Sequence, residues 1–177
     1  MSRPVAIVGP TAVGKSVLGI KIAGHVKGEI VSVDSLQVYR GFDIGTAKPT
    51  AGDRRRVPHH LIDILEPTHQ LTAGAFGKLA RQSIHAIESR GKRPILVGGS
   101  GLYLRTVLDG ISQIPPTTDQ IRSELRIRFE NEGLSALRQW LETLDPKTAR
   151  RIEPGDSQRN IRALEVEIGR ASCRERV

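Results

Sequence analysis

The amino-acid sequence predicts an α/β protein: a parallel sheet flanked by helices, with a small all-helical domain inserted. Three observations carry that expectation. A short apolar run from Pro4 to Val8 leads into a glycine-bounded loop and then into residues at helical spacing. A second apolar run, Glu29 to Val33, follows that helix, giving the strand–loop–helix–strand order that begins a parallel sheet. Beyond Pro115-Pro116 the strand signals vanish and charge density rises.

The elements follow in order. Pro4 to Val8 is a short uninterrupted apolar run, suited to a buried parallel strand. From Lys15 to Val26, the residues Val17, Leu18, Ile20, Ile22, Ala23 and Val26 recur at helical spacing, and Gly28 supplies the break before Glu29 to Val33. The stretch from Asp34 to Thr72 is rich in turn residues, with a third short strand expected at Leu61 to Leu65. Ala73 to Arg90 reads as a helix with Phe76, Leu79, Ala80, Ile84 and Ile87 on one face, Thr72 as cap and Gly91 as stop. Pro94 to Val97 is a further buried strand, ending in Gly98-Gly99-Ser100-Gly101 and followed by a helix from Leu102 to Leu108. In the basic part, helices are expected at Asp119 to Glu132, Leu134 to Leu144 and Pro146 to Ile152, separated by Gly133 and Asp145-Pro146, with a fourth from Ser157 to about Val166. The expected division is a core over 1–114, a helical insertion over 115–156 and a helix over 157–167 returning toward the core.

Composition narrows the class. The 177 residues are 38% apolar but only 3% aromatic, so the core must rest on Ile, Val, Leu and Ala. No run of about 18 apolar residues exists to span a membrane. The N-terminal apolar run is too short for a signal peptide, and a cytosolic, monomeric protein is expected. One cysteine, Cys173, excludes a disulfide framework within the chain and a Cys-based zinc site. The formal charge of +8 suits a polyanionic partner, nucleic acid above all, although a merely solvated basic surface reads the same way.

The loop after the first strand, Gly9-Pro10-Thr11-Ala12-Val13-Gly14-Lys15-Ser16, meets the spacing G-x-x-x-x-G-K-[ST]. Its glycines let the backbone turn several N–H groups onto phosphate oxygens, and the helix beginning at Lys15 aims its positive end at the same anion. Lys15 adds a mobile charge, and the Ser16 hydroxyl is a candidate Mg²⁺ ligand. The fold expected is therefore P-loop NTPase-like, binding a diphosphate or triphosphate. Asp34, at the end of the second strand, is open to three readings: a general base, a turn former or a Mg²⁺ ligand. His59 and His60 lack partners at metal-ligand spacing and are read as structural, and Trp140 as a packing residue.

Five blocks in register carry a resemblance: GPTAVGKS, VDSLQVYRGFDIGTAKP, VPHHLIDILEP, ILVGGSGLYL and DSQRNIRALEV. Together they are similar to the tRNA dimethylallyltransferase (tRNA isopentenyltransferase) family over nearly all of Val5 to Val166. The resemblance implies transfer of a dimethylallyl group from dimethylallyl diphosphate to N6 of the adenine at tRNA position 37, in tRNAs reading codons that begin with U. It implies that the loop Gly9 to Ser16 holds the diphosphate with Mg²⁺, that Asp34 is the general base and that Lys15 and Ser100 take part in catalysis. The adenine is expected to be flipped out of its stack to reach Asp34. Contacts to tRNA are implied for Asp34, Ser35, Leu36, Gln37, Ser100, Arg122, Gln158, Arg159, Asn160, Ile161 and Arg162. Ser100 stands where the family usually has Thr, which keeps the hydroxyl.

After Glu165 to Glu167 the family pattern usually continues like YELTGKPLS, whereas this chain reads IGRASCRERV, so 168–177 is expected to be a non-native tail on a C-terminally truncated member. Such a chain is expected to keep the donor site and bind tRNA poorly. Three other readings stand beside the main one: a P-loop small-molecule kinase or NTPase, an adenylate isopentenyltransferase, and an inactive RNA-binding fragment.

Overall fold

The computed structural model describes residues 4–110 and 117–174, which fall into two compact units, Met1–Ile111 and Ser112–Val177. The first unit runs β1 (Val5–Val8), α1 (Lys15–Val26), β2 (Glu29–Val33), α2 (Ala51–Arg56), β3 (His59–His60), α3 (Ala73–Ser89), β4 (Pro94–Gly98) and α4 (Gly101–Leu108). The four strands form one parallel sheet in the order β1-β4-β2-β3.

Every residue of the central strands β2 and β4 is buried, because helices cover both faces. The two-residue period still sorts their side chains. Val31, Val33 and Leu96 pack with Phe76, Ala80 and Ile87 of α3 and with Tyr103 and Val107 of α4. Ile30, Ile95 and Val97 pack with Ile20 and Ala23 of α1. Across the first of these clusters the Phe76 and Tyr103 rings stack with centroids 4.2 Å apart. The helix α3 begins where Thr72 accepts a hydrogen bond from the Ala75 amide at 3.2 Å, as its sequence suggests.

Three differences from the sequence reading have physical causes. β1 is not buried on both faces: Ala6 and Val8 are exposed, since β1 is an edge strand and pairs only with β4 among the described residues. The third strand lies at His59–His60, not at Leu61 to Leu65, because Leu61 and Asp63 adopt left-handed backbone (φ 62 and 56) that breaks a strand. Leu65 makes only an isolated bridge to Tyr39. The short helix α2 was not foreseen, although Thr50 and Asp53 form a reciprocal capping box whose T-x-x-D spacing is visible in the sequence.

The second unit holds α5 (Asp119–Leu144), α6 (Pro146–Arg151) and α7 (Ser157–Arg174). The expected break at Gly133 is present as a single non-helical residue (φ 77, ψ 175) inside α5. Leu125, Leu137, Leu141, Ala149 and Leu164 form its core, with Trp140, Ile161 and Ile168 packed against it. The helix α7 thus continues through Ile168 to Arg174.

At the far end of the sheet from the glycine loops, Glu29 is buried and accepts hydrogen bonds at 2.7 Å from both Arg90 and the His60 ring. Burial would raise its pKa, but the bonds from His60 and Arg90 and the Arg90 charge outweigh this and hold it below 4.5. A carboxylate with a lowered folded pKa stabilises the fold above its unfolded pKa, and that contribution is lost as pH falls through the folded value. Glu29→Gln is therefore expected to lower stability at pH 7 by about 1–3 kcal/mol and to flatten the loss of stability below about pH 4.5. Urea unfolding across pH 3 to 7 checks both.

Candidate functional site

The carboxyl ends of β1, β4 and β2 stop at one level, where Val8 and Val33 both pair with Gly98. A Cβ at Gly98 would overlap the Val33 carbonyl, so only glycine lets the two central strands close here. The loops leaving these ends surround a cleft of about 360 Å³, within the range of small-ligand sites.

One wall is the phosphate-type loop. Gly14 sits at the N-cap of α1 in left-handed backbone (φ 83), and no side chain caps the helix. Its first-turn N–H groups are thus left to the cleft, which Gly14, Lys15, Ser16 and Val17 line with Thr11 and Ala12. No acidic residue lies in that first turn to offset the positive helix end. The Lys15 ammonium donates to the Pro10 carbonyl, bridging the loop. Gly9, Pro10 and Val13 complete the loop, and Val13 is exposed.

Asp34 lines the same cleft from the end of β2. Its Oδ1 accepts from the amides of Leu36 (2.8 Å) and Gln37 (3.3 Å), while Oδ2 accepts no hydrogen bond among the described residues. The turn-forming reading of Asp34 is thus met by one oxygen, and the turn fixes the direction of the other. The adjoining Ser35 amide donates to the Ser100 hydroxyl at 3.1 Å, tying the loop after β2 to the loop after β4. Leu36 is exposed at the cleft.

Gln37 is buried, and its amide is committed within the protein. Its oxygen accepts from the Ser32 hydroxyl at 2.8 Å, and its nitrogen donates to the carbonyls of Thr46 (3.0 Å) and Ala47 (3.1 Å). Sequence reasoning did not single out Ser32, Thr46 or Ala47 and read His59 as structural, yet all four line the cleft. His59 carried a signal only in hindsight, as the half-buried partner of Ile30 on the sheet edge. Burial is the chief reason its pKa falls below 6.5, with Arg54 adding to the effect and the bond to the Val57 carbonyl opposing it. His60 instead pairs with Glu29.

The remaining expected site residues belong to the second unit. Arg122 pairs with Asp119 at 3.3 Å, Arg159 with Asp156 at 3.2 Å, and Arg162 with Glu165 and with Thr117. All three arginines and Gln158 are exposed. Asn160 is fully buried: its amide donates to the carbonyls of Glu153 and Asp156, and its oxygen accepts from Arg138. Ile161 packs on the core of this unit. From this segment, Gln158, Arg159 and Arg162 present polar side chains to solvent.

The sequence model described as IPP transferase matches residues 37–174. The chain is 51% identical to a tRNA dimethylallyltransferase of Halorhodospira halophila, over 94% of this chain and 54% of that protein. It is 52% identical to one of Paenarthrobacter aurescens, over 93% of this chain and 53% of that protein. Among solved structures it is similar to the tRNA isopentenylpyrophosphate transferase of Bacillus halodurans, with a TM-score of 0.62 and 44% identity over 94% of this chain and 55% of that one. It is also similar to a eukaryotic dimethylallyltransferase acting on tRNA, with a TM-score of 0.81 and 28% identity over 99% of this chain and 45% of that one. The chain spans about half the length of these relatives.

Replacing Gln37 by Leu would leave the Ser32 hydroxyl and two carbonyls without their partner. Gln37→Leu is expected to cost about 2–4 kcal/mol in denaturant unfolding, the size of several unsatisfied buried groups. An exposed, uncommitted Gln would give a change within about 0.5 kcal/mol.

Proposed function

The chain belongs to the IPP transferase family, and from that premise we propose that it carries the donor site of a tRNA dimethylallyltransferase. The reaction moves a dimethylallyl group from dimethylallyl diphosphate to N6 of the adenine next to the anticodon, at tRNA position 37. The single observation that supports this most is the juxtaposition of an anion-binding loop and a carboxylate with one uncommitted oxygen on one cleft, Gly14 to Ser16 facing Asp34. The parallel sheet with a phosphate-type loop after β1 supports a P-loop NTPase-like reading of the first unit.

The chemistry follows from charge. As the allylic carbon–oxygen bond breaks, negative charge builds on the departing diphosphate. Lys15 and the uncapped N–H groups of α1 are placed to stabilise that charge as it forms. The adenine amine attacks the allylic carbon and must lose a proton as the new bond forms. Asp34 takes it, with Oδ1 held by the turn so that Oδ2 faces a fixed direction. Ser100 steadies the loop that carries this base.

Mg²⁺ fits the donor set. Among the described residues the Ser16 hydroxyl makes no hydrogen bond and lies on the cleft, and no cluster of three or more His, Cys, Asp or Glu side chains exists there to cage a metal. Mg²⁺ characteristically binds through one or two side chains together with substrate phosphates. The ion would supply charge neutralisation on the leaving group, held by Ser16 and the diphosphate itself. Arg122, Gln158, Arg159 and Arg162 supply the exposed polar surface for tRNA in this reading, in a protein working in the cytosol. No helix among the described residues is long and apolar enough to cross a membrane.

Incubation with labelled dimethylallyl diphosphate, Mg²⁺ and bulk tRNA, followed by nucleoside analysis, tests the proposal. Labelled N6-(dimethylallyl)adenosine is expected, and labelled tRNA lacking that nucleoside would contradict it. Asp34→Ala is expected to lower the transfer rate by about 10²–10⁴-fold while leaving donor affinity nearly unchanged. Lys15→Ala is expected to lower the rate by about 10²–10³-fold and to weaken diphosphate binding as well.

A further inference from the structure

One buried charge in the first unit has no part in the chemistry above. Lys48 has a side chain only 4% exposed, and its ammonium donates to the Tyr39 carbonyl (2.6 Å), Asp43 (2.9 Å) and Asp63 (2.7 Å). Those three bonds use all three of its donors. The second oxygen of Asp63 is held by Arg54 at 2.8 Å. Burial alone would lower the lysine pKa, but the bonds and charges of Asp63 and Asp43 outweigh it and hold it above 10.5.

The position of this charge is informative. Gly45, Thr46, Ala47 and Pro49 line the cleft, whereas Lys48 does not. Its side chain closes the loop from Tyr39 to Pro49 from behind and fastens it to the segment carrying Asp63. Ala47 and Asp63 both hold left-handed backbone (φ 49 and 56), which persists only where surrounding contacts fix it. The same loop supplies the two carbonyls that orient Gln37.

Resting on the donor-site reading, we propose that Lys48 is a positioning residue that fixes the wall formed by Leu36, Ala47 and Pro49 as the seat of the donor's dimethylallyl group. The wall is largely apolar and is built by residues outside the anion-binding loop. Its integrity therefore governs affinity for the organic end of the ligand and leaves affinity for the diphosphate end alone.

Calorimetric titration of Lys48→Met with dimethylallyl S-thiolodiphosphate and, separately, with inorganic diphosphate, both with Mg²⁺, tests this. The analogue is expected to bind about tenfold more weakly and diphosphate to stay within about twofold of the unmodified chain. Equal weakening of both ligands, or of neither, overturns the inference. If circular dichroism shows that Lys48→Met does not fold, Asp43→Ala, which removes an exposed partner, carries the same comparison with an expected ratio of about threefold. An unmodified chain that binds neither ligand refutes the donor-site reading itself, and this inference with it. A chain that binds diphosphate as tightly as the analogue refutes only the role of the wall.

Discussion

The register at Gly98 is the constraint on which the rest depends. Val8 and Val33 pair with it from opposite sides, so β1, β4 and β2 end together, and a side chain there would force the two central strands apart. Three loops then leave the sheet at one level: the phosphate-type loop, the Asp34 turn and the Gly99-Ser100 turn. Ligands of open parallel sheets bind at such carboxyl ends, where diverging loops leave a crevice. The chemistry attributed to this cleft needs opposite demands met within it, an electropositive end for a leaving diphosphate and a carboxylate for a departing proton. The common strand level brings both to one place.

Around that edge, polar groups are satisfied in a hierarchy. Backbone turns orient Asp34, the Ser35–Ser100 bond links two of the loops, and the buried Gln37 amide joins β2 to the loop at Thr46 and Ala47. Lys48 and Asp63 support that loop in turn. Among the described residues no buried side-chain nitrogen or oxygen lacks a partner. Unpaired buried groups are costly, so each link favours one loop conformation over its alternatives.

Much of this was legible in the sequence. The apolar run before Gly9, the spacing to Lys15 and the amphipathic stretch after it located β1, the loop and α1 within a residue. Thr72 and the Phe76–Ile87 stripe located α3. What escaped was set by contacts distant in sequence or by backbone choice. An apolar run at Leu61 to Leu65 resembles a strand, but left-handed Leu61 and Asp63 shift the pairing back to His59–His60. Gln37 stood only among the implied tRNA contacts, because nothing local reveals that Ser32, Thr46 and Ala47 enclose it. Lys48 was unremarked for the same reason: a lysine between alanine and proline looks solvated until Asp43 and Asp63 are seen to converge on it. Asn160 and Ile161 share the segment of Arg159 and Arg162, yet helical geometry turns them inward while the arginines face out.

In the proposed reading this cleft takes the diphosphate of an isoprenoid and not a nucleoside triphosphate. The most direct measurement is a competition titration of the chain with dimethylallyl diphosphate and ATP, each with Mg²⁺, followed by assay for phosphate release. Dimethylallyl diphosphate is expected to bind more tightly, to displace ATP and to be accompanied by no sustained ATP hydrolysis. Tighter binding of ATP with steady release of phosphate, unaffected by the isoprenoid, would contradict it.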